Sequence, residues 1–417
     1  MGIFDWLRRT RTEDAAPRIY AMAGEMAEFY GMDDPRFKEF IRSGGAGMTE
    51  AGISVSPKVA MRNTTVLRCV SLISFAIGWL PLQLHERETK EKATGHPLYR
   101  ILHRRPNAWQ TAFEFRAQMQ QNALVHGNAY ALIQRSGTRV RQLVPLDPPQ
   151  VAVRQRHDWT LEYDYRRPDG RSVIYPQADI FHLRYGMTDD GILGLSLVKQ
   201  AAEAIALAIQ AEKAAARVFR NGMLAGGALS HKDKLSPEAY ERLKASMAER
   251  EGAENAHRWL ILEEGMDMKS APVNGRDSQH VEQRRHQIED IARPFGVPRP
   301  LLNVDDTSWG SGIDVLGQFF VRYALNPWFE AWQQAIERDL LSDAEAESYE
   351  AKFNAGALLR GSMKDQAEFF SRALGAGGHQ PWMDYEEVRE IMDLPEKNIA
   401  PNPITNRSNG NEPQEAS

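Results

Sequence analysis

The pattern of apolar positions along the chain predicts a series of helices. Ser56-Pro57 begins the clearest one, because Ser caps free backbone amides and Pro suits the first helical turn. Apolar residues then recur every three or four positions until Pro81, which ends the helix. The same spacing predicts helices over residues 113–125, 196–221, 278–293 and 313–341 (kinked at Pro327), and shorter ones over 22–30, 364–374 and 385–392.

Between residues 128 and 184 the apolar period changes to two, which indicates strands. Residues 129–134 and 140–144 flank a turn at Ser136-Gly137, and further strands are expected over 150–154, 161–165, 172–175 and 180–184. A smaller group follows the longest helix, where strands over 227–230 and 259–262 flank a helix that begins at Ser236-Pro237. Runs of helices and of short strands together predict an α+β fold.

The composition is that of a globular protein. The chain has 417 residues, of which 42% are hydrophobic and 26% charged, so it is long enough for two or three domains and is not mostly disordered. Its formal net charge of −5 excludes a protein coated with basic residues for tight nucleic-acid binding. A single cysteine, Cys69, excludes a disulfide framework and a cysteine zinc site, and we expect its thiol to be buried.

Charge is distributed unevenly along the chain. Residues 99–184 hold 13 Arg and seven acidic residues, a net charge of +6, whereas residues 342–417 hold 14 acidic and seven basic residues, a net charge of −7. The most apolar stretch, residues 66–84, carries Arg68 and is too short for a bilayer crossing. Asp5 interrupts any apolar segment at the N-terminus, so we expect neither a secretory signal nor a membrane partner.

Strings typical of catalysis are missing from the sequence. It contains no Gly-rich phosphate-binding string, no His-Glu-x-x-His and no Gly-x-Ser-x-Gly, so we predict no enzyme, cofactor or metal. One acidic group leaves an alternative open, because Asp305, Asp306 and Asp314 could bind a divalent metal for phosphoryl transfer. The same residues also suit a solvated loop and a helix start, where Asp is favoured.

Six short strings follow one another in a fixed order. They are residues 125–135 (VHGNAYALIQR), 143–148 (LVPLDP), 180–184 (IFHLR), 191–196 (GILGLS), 291–302 (IARPFGVPRPLL) and 324–327 (ALNP). In this order and spacing the sequence resembles the portal proteins of tailed bacteriophages, of the siphovirus type also found in prophages and gene transfer agents. The resemblance extends over residues 56–395.

The resemblance implies a mixed portal fold with an α/β wing, long stem helices, a small αβ clip and a helical crown. The implied divisions of this chain are an N-terminal arm (1–55), the wing (56–195, with the long helix 313–341), a first stem helix (196–222), the clip (223–276), a second stem helix (277–295), a tunnel loop region (296–312), the crown (342–395) and a flexible tail (396–417).

The resemblance also implies a function. Such proteins form a dodecameric ring at one capsid vertex, which is a conduit for DNA packaging and ejection and a docking platform. The implied partners are further copies of the chain, duplex DNA bound weakly and without sequence preference, the terminase large subunit, the major capsid protein and a head–tail adaptor. The implied location is the virion, with assembly in the bacterial host cytoplasm. A metal-dependent phosphoryl-transfer enzyme and another minor head or connector protein are the alternatives.

Three groups of site residues follow from this mapping. They are Asp305, Asp306, Thr307, Ser308, Trp309, Gly310, Ser311 and Gly312 of the tunnel loop, Arg284 and Arg285 of the second stem helix, and Trp259, Leu260, Ile261 and Leu262 of the clip. Trp309 would contact DNA or pack between subunits, and the two arginines would face phosphates or form ion pairs with a neighbouring stem. The clip strand would pair across subunits or within one. Charges near balance in these elements favour weak contact, because each neutralised phosphate adds affinity.

Overall fold

The computed structural model describes most of the chain between residues 49 and 391. The described residues are 19–20, 28–29, 49–186, 190–221, 227–231, 237–248, 266–270, 276–303, 313–354, 363–378 and 380–391. Internal contacts divide the chain into two compact units, Met1–Ala355 and Gly356–Ser417.

Among the described residues of both units, more belong to helices than to strands. The α-helices of the first unit are α1 (Pro57–Ala60), α2 (Thr64–Trp79), α3 (Pro97–His103), α4 (Ala112–His126), α5 (Leu197–Gln200), α6 (Ala202–Asn221), α7 (Pro237–Ala248), α8 (Arg276–Ala292), α9 (Ile313–Phe320), α10 (Asn326–Leu340) and α11 (Asp343–Ser348), and those of the second are α12 (Met363–Ala373) and α13 (Tyr385–Ile391). A π-helical segment, Val321–Leu325, joins α9 to α10.

The strands pair into small antiparallel sheets. They are β1 (Ile19–Tyr20), β2 (Glu28–Phe29), β3 (Leu82–Glu86), β4 (Asn128–Ser136), β5 (Arg139–Leu146), β6 (Val151–Gln155), β7 (Leu161–Arg166), β8 (Ser172–Pro176), β9 (Ile180–Arg184), β10 (Gly227–His231), β11 (Met266–Ser270) and β12 (Tyr349–Phe353). The sheets have the orders β1-β2, β10-β11, β12-β3, β5-β4-β9 and β6-β7-β8. This mixture of helices and antiparallel sheets confirms the predicted α+β class.

Strands β4 to β9 confirm the period-two pattern that predicted them. The helix expected over residues 22–30 is wrong at Glu28–Phe29, because these residues pair as a strand with Ile19–Tyr20. Strand β10 is confirmed, and the strand it pairs with is β11. The strand predicted over residues 259–262 lies outside the described residues.

Two helices predicted as continuous are interrupted in the structure. The helix predicted from Ser56 to Pro81 is divided into α1 and α2 at Asn63. The side-chain oxygen of Asn63 accepts hydrogen bonds from the backbone amides of Thr65 (3.0 Å) and Val66 (3.2 Å), so Asn63 is the N-cap of α2. Ala201 likewise separates α5 from α6. At Pro327 the sequence predicted a kink. The structure has a π-helical segment directly before this residue, since Pro has no amide to donate into the preceding turn.

Helices α2 and α4 form the centre of the first unit. They approach closely at Gly78, where a side-chain carbon would lie 3.0 Å from the Phe113 carbonyl oxygen and 3.2 Å from Ala117 Cβ. Cys69 is fully buried, as the sequence predicted, and burial raises its thiol pKa to about 12. The thiol is therefore a packing group.

Helix α10 ties the sheets to this helical centre. Trp332 is buried between Phe181 of β9 (ring centroids 5.8 Å apart) and Phe353 of β12 (6.4 Å), and its indole N–H donates to Gln120 Oε1 of α4 at 2.8 Å. Because β12 pairs with β3, residues as far as 354 belong to the first unit, beyond the wing limit that the sequence predicted.

The second unit contains the two helices that the sequence predicted over residues 364–374 and 385–392. Trp382 and Phe369 of α12 pack edge to face, at 5.5 Å between ring centroids. Its backbone N–H donates to the Ala373 carbonyl at 3.0 Å, which folds the connecting turn back on the end of α12.

Candidate functional site

The structure describes one of the three predicted groups of site residues. Arg284 and Arg285 lie in the middle of α8 and are exposed. The tunnel-loop residues Asp305 to Gly312 and the clip residues Trp259 to Leu262 lie outside the described residues. Asp314 is the second residue of α9, and within the described residues no group of three His, Cys, Asp or Glu side chains is placed to hold a metal.

The helices α6 and α8 contact each other, and among their described side chains the buried ones lie toward the N-terminal end of α6 and the C-terminal end of α8. In α6 the buried side chains are Ile205, Ala206 and Ala208, and positions from Glu212 onward are mostly exposed. In α8 the order is reversed, because Arg284 and Arg285 are exposed and Ile291 is buried. The chain therefore leaves the packed part of the subunit along α6 and returns to it along α8.

Acidic side chains near the C-terminal end of α8 form ion pairs with arginines that are close in the sequence. Arg293 lies 2.7 Å from Asp290, and Arg299 lies 3.1 Å from Glu289. Farther along the same helix Arg284 and Arg285 are exposed. Contact of these two arginines with phosphates and their pairing with a neighbouring stem both remain predictions.

A close approach of two backbones fixes where the stem segment begins. Gly127 ends α4 in the left-handed conformation, with φ of +82°, and a side-chain carbon at this position would overlap the Gly194 carbonyl oxygen. A side-chain carbon on Gly194 would likewise overlap the Gly127 carbonyl oxygen. Two glycines are needed here because any side chain would separate the two segments.

Side chains from both segments complete this contact, which we term the stem junction (residues 125–128, 182 and 194–196). Asn128 Oδ1 accepts a hydrogen bond from the Gly194 amide at 2.7 Å, and Ser196 Oγ donates to the Val125 carbonyl at 2.6 Å. The same Ser196 Oγ accepts from the Lys199 amide at 3.1 Å, so it caps α5. The junction thus aligns the end of α4 with the start of the stem.

His182 is the buried centre of the stem junction. Its Nε2 lies 2.9 Å from Asn128 Oδ1 and its Nδ1 lies 3.2 Å from the Tyr163 hydroxyl. Because Asn128 Oδ1 is an acceptor, Nε2 carries the proton and Tyr163 donates to Nδ1. Burial, followed by the charges of Arg184 and Arg338, lowers the pKa of His182 to about 3, so the ring is neutral at physiological pH.

The C-terminal turn of α10 holds the backbone of β9 at His182. The His182 amide donates to Asp339 Oδ2 at 2.9 Å, and its carbonyl accepts from Arg338 Nη2 at 2.6 Å. Arg338 and Asp339 also pair with each other at 2.7 Å, and this hydrogen bond raises the pKa of Arg338. The outer edge of β9 is therefore satisfied by side chains of a helix rather than by another strand.

Three of the six strings of the sequence meet at the stem junction. Residues 125–135 supply Gly127 and Asn128, residues 180–184 supply His182, and residues 191–196 supply Gly194 and Ser196. The sequence predicted Gly127 only as the end of a helix and Ser196 only as the cap of the next one, and it assigned none of these residues to a site. The pairing of the two segments depends on tertiary contact, which no local pattern reports.

Comparison with known proteins identifies the family. The family model described as "Phage portal protein" matches residues 64–393. The portal protein of Enterobacteria phage HK97 is 31% identical over 375 residues, which are 87% of each chain. The chain belongs to the phage portal protein family. The resemblance and the portal function predicted from the sequence are thereby confirmed.

Two further relatives agree with membership of the portal family. The probable portal protein of Streptomyces phage phiC31 is 28% identical, over 82% of this chain and 77% of that one. A structure titled "Neck of empty GTA particle computed with C6 symmetry" is 26% identical, has a TM-score of 0.58, and covers 86% of this chain and 99% of the other. Neither relative favours the enzyme or the other minor head protein considered as alternatives.

No helix among the described residues combines the length and the apolar character that a bilayer crossing requires.

Proposed function

We propose that this portal chain forms a homo-oligomeric ring, a dodecamer by family resemblance, whose centre is the passage for duplex DNA in packaging and ejection. The observation that carries the proposal is the helix pair α6 and α8, whose described side chains are buried near the base and mostly exposed from Glu212 to Arg217 and at Arg284 and Arg285. A long helix pair with little burial in its own subunit can pack against copies of itself, and a cyclic arrangement supplies such copies. Symmetry of a related particle neck supports a ring.

The proposed divisions follow the family pattern with one change of boundary. Residues 56–195 and 313–354 form the wing, because β12 pairs with β3. Helices α6 and α8 form the stem, the segment between them forms the clip, and the crown begins at residue 356, where the second compact unit begins. In this proposal the crown starts later than residue 342.

The subunit contact of the ring has a suitable surface on α2. Leu67, Phe75 and Trp79 are exposed by 47%, 56% and 60% on this helix, and Phe113 of α4 continues the surface beside Phe75. We term this set the α2 face. Exposed clusters of large apolar side chains mark protein interfaces, and a closed ring needs one surface that meets a different surface of the next subunit.

The channel contacts in this proposal are weak. Arg284 and Arg285 would line the stem beside acidic residues of the same helix, and the loop from Asp305 to Gly312 would reach toward the DNA. A lining near charge balance lets DNA slide, because few counterions are released per contact. The clip would dock the terminase large subunit and later the head–tail adaptor, and the wing would contact the major capsid protein.

The location that follows is the capsid vertex of a virion, with assembly in the host cytoplasm and no catalytic role for the chain. The test is the mass and shape of the purified full-length protein. Rings with a central hole wide enough for duplex DNA, seen by negative-stain microscopy together with a mass near twelve subunits, support the proposal. A compact monomer at all concentrations would overturn it.

A further inference from the structure

The turn between β7 and β8 is an exposed tip built largely of arginines. Arg166, Arg167 and Arg171 flank Pro168-Asp169-Gly170, and every residue from 166 to 172 is exposed. Two backbone hydrogen bonds close the turn, from the Gly170 amide to the Arg167 carbonyl at 2.9 Å and from the Arg167 amide to the Arg171 carbonyl at 2.8 Å. The backbone is therefore fixed while the guanidinium groups extend into solvent.

The positive charge of this turn is not neutralised by the surrounding sheet. No ion pair joins Arg166, Arg167 or Arg171 to an acidic side chain of the described residues, and the carboxylate of Asp169 accepts the Arg171 amide at 3.0 Å, which holds it in the turn. Other arginines of the same sheet are paired, because Arg154 lies 3.6 Å from Asp164 and Arg156 lies 3.0 Å from Glu162. The arginines of this sheet that are not paired with a carboxylate of the described residues therefore lie at the β7–β8 turn.

The chemistry of the turn favours a polyanion over a protein partner. Arginine is also common at protein interfaces, but there it lies beside buried aromatic or aliphatic side chains, and residues 166–172 contain none. Arginine forks match the oxygen atoms of a phosphate and can form two parallel hydrogen bonds with it. Contacts of this kind hold a nucleic-acid backbone without reading its sequence.

We propose that the β7–β8 turn, through Arg166, Arg167 and Arg171, is a contact site for the phosphodiester backbone of duplex DNA on the wing, separate from the channel elements. The turn lies in the segment of net charge +6 that the channel does not use. This inference rests on the proposed function, in which duplex DNA is the ligand. In a ring the turn is repeated once per subunit, so weak single contacts add to a useful avidity.

The experiment uses the full-length protein and a covalently closed circular duplex, which cannot thread into a ring that is already closed. Binding is measured by filter retention between about 50 and 200 mM salt, the range over which phosphate contacts change affinity strongly. The variant R167Q/R171Q removes two charges of the tip. The matched control R154Q/R156Q removes two charges from the same sheet that are already paired.

We expect R167Q/R171Q to weaken binding at least about tenfold at the lowest salt and to reduce the slope of log affinity against log salt by about two for each turn that contacts the DNA, one for each phosphate that is no longer neutralised. The control should stay within about twofold of the parent, because its arginines are held by carboxylates. Equal weakening in both variants, or none in the first, would overturn the inference. So would tip-dependent binding of poly-glutamate without binding of DNA, which would assign the turn to an acidic protein surface.

Failure of this inference is distinguishable from failure of the proposed ring. Negative-stain images of the same samples report ring formation independently of DNA. A protein that forms rings but shows no tip-dependent binding overturns the turn site alone. A protein that binds circular DNA through the tip without forming rings overturns the ring alone.

Discussion

At the scale of single residues, buried polar side chains hold the portal subunit together where its segments meet. Arg116 illustrates this, since it is 5% exposed and lies within hydrogen-bond distance of no carboxylate among the described residues. Its guanidinium donates to the carbonyls of Gly78 (2.6 Å), Leu102 (2.8 Å) and Ile77 (3.3 Å). These carbonyls end α2 and α3, where the helix dipole favours a cation. Burial lowers the pKa of Arg116 to about 10, so it stays charged at neutral pH.

Replacement of Arg116 should therefore destabilise the subunit strongly. We expect Arg116→Met to lower the free energy of unfolding by about 3 kcal/mol, because three buried carbonyls lose their donor. Arg104→Met, at an exposed position one residue beyond α3, should change it by less than about 0.5 kcal/mol. Urea unfolding followed by circular dichroism measures both, and equal destabilisation would contradict the capping role.

His182 should give the subunit a defined sensitivity to acid. Its pKa is about 3 in the folded chain and near 6.5 in an unfolded one, so below pH ~6.5 only the unfolded chain takes up the proton. The lowered pKa of His182 therefore contributes fully to the free energy of unfolding above pH ~6.5. This contribution is lost as the pH falls toward ~3, and about 2 kcal/mol of it is lost at pH ~5. His182→Gln should unfold more easily at neutral pH yet lose less stability on acidification to pH ~5. Urea unfolding at the two pH values measures this, and a parallel pH dependence of both proteins would contradict the assignment.

At the scale of elements, the stem junction decides where the stem points. Gly127 needs both a left-handed backbone and the absence of a side chain, whereas Gly137 of the β4–β5 turn needs only the first, since it has a φ of +62° and no neighbour within 4 Å of an added carbon. A substitution at Gly137 therefore tests backbone strain alone, whereas the same substitution at Gly127 tests backbone strain together with steric overlap.

Alanine at these two glycines should have unequal effects. Gly137→Ala should cost about 1 kcal/mol, the usual strain of a left-handed residue. Gly127→Ala should cost more than about 3 kcal/mol, because α4 and the segment before α5 must move apart. Thermal melting measures the difference, and size-exclusion chromatography reports whether Gly127→Ala still assembles. Similar melting temperatures for the two variants would show that the junction tolerates separation.

At the scale of the whole molecule, the proposed ring depends on surfaces that a single subunit leaves exposed. The α2 face is one of them, and Phe75 and Trp79 are its largest exposed members on α2. Trp159, at the tip of the β6–β7 turn, is 79% exposed and belongs to a different element, so it serves as a comparison.

Polar replacements on the α2 face should weaken assembly without unfolding the subunit. We expect Phe75→Ser with Trp79→Ser to shift the ring toward monomers at least about tenfold in protein concentration, because two large apolar side chains no longer pack at each subunit boundary. Trp159→Ser should assemble like the parent. Sedimentation velocity measures the distribution, and rings of unchanged stability in the double variant would exclude the α2 face from the interface.

Local patterns in the sequence predicted the elements of this protein well. The strands from β4 to β9 and the helix α4 followed from apolar period, capping residues and turn residues, which act between near neighbours in the chain. The order of six strings also led to the family, although no string disclosed its physical role. Charge arithmetic located the arginine-rich segment but did not show that Arg154 and Arg156 meet carboxylates of the described residues while the arginines of the β7–β8 turn do not.

Tertiary structure alone decided how these elements meet. The contact of Gly127 with Gly194, the capping of α2 and α3 by Arg116 and the pairing of β12 with β3 each join segments far apart in the sequence. The break at Asn63 is different in kind, because its side-chain oxygen caps amides only two and three residues ahead in the chain. Sequence by itself therefore determined the local conformations through short-range forces, and packing chose among their arrangements because burial and hydrogen bonding are satisfied only in the assembled fold.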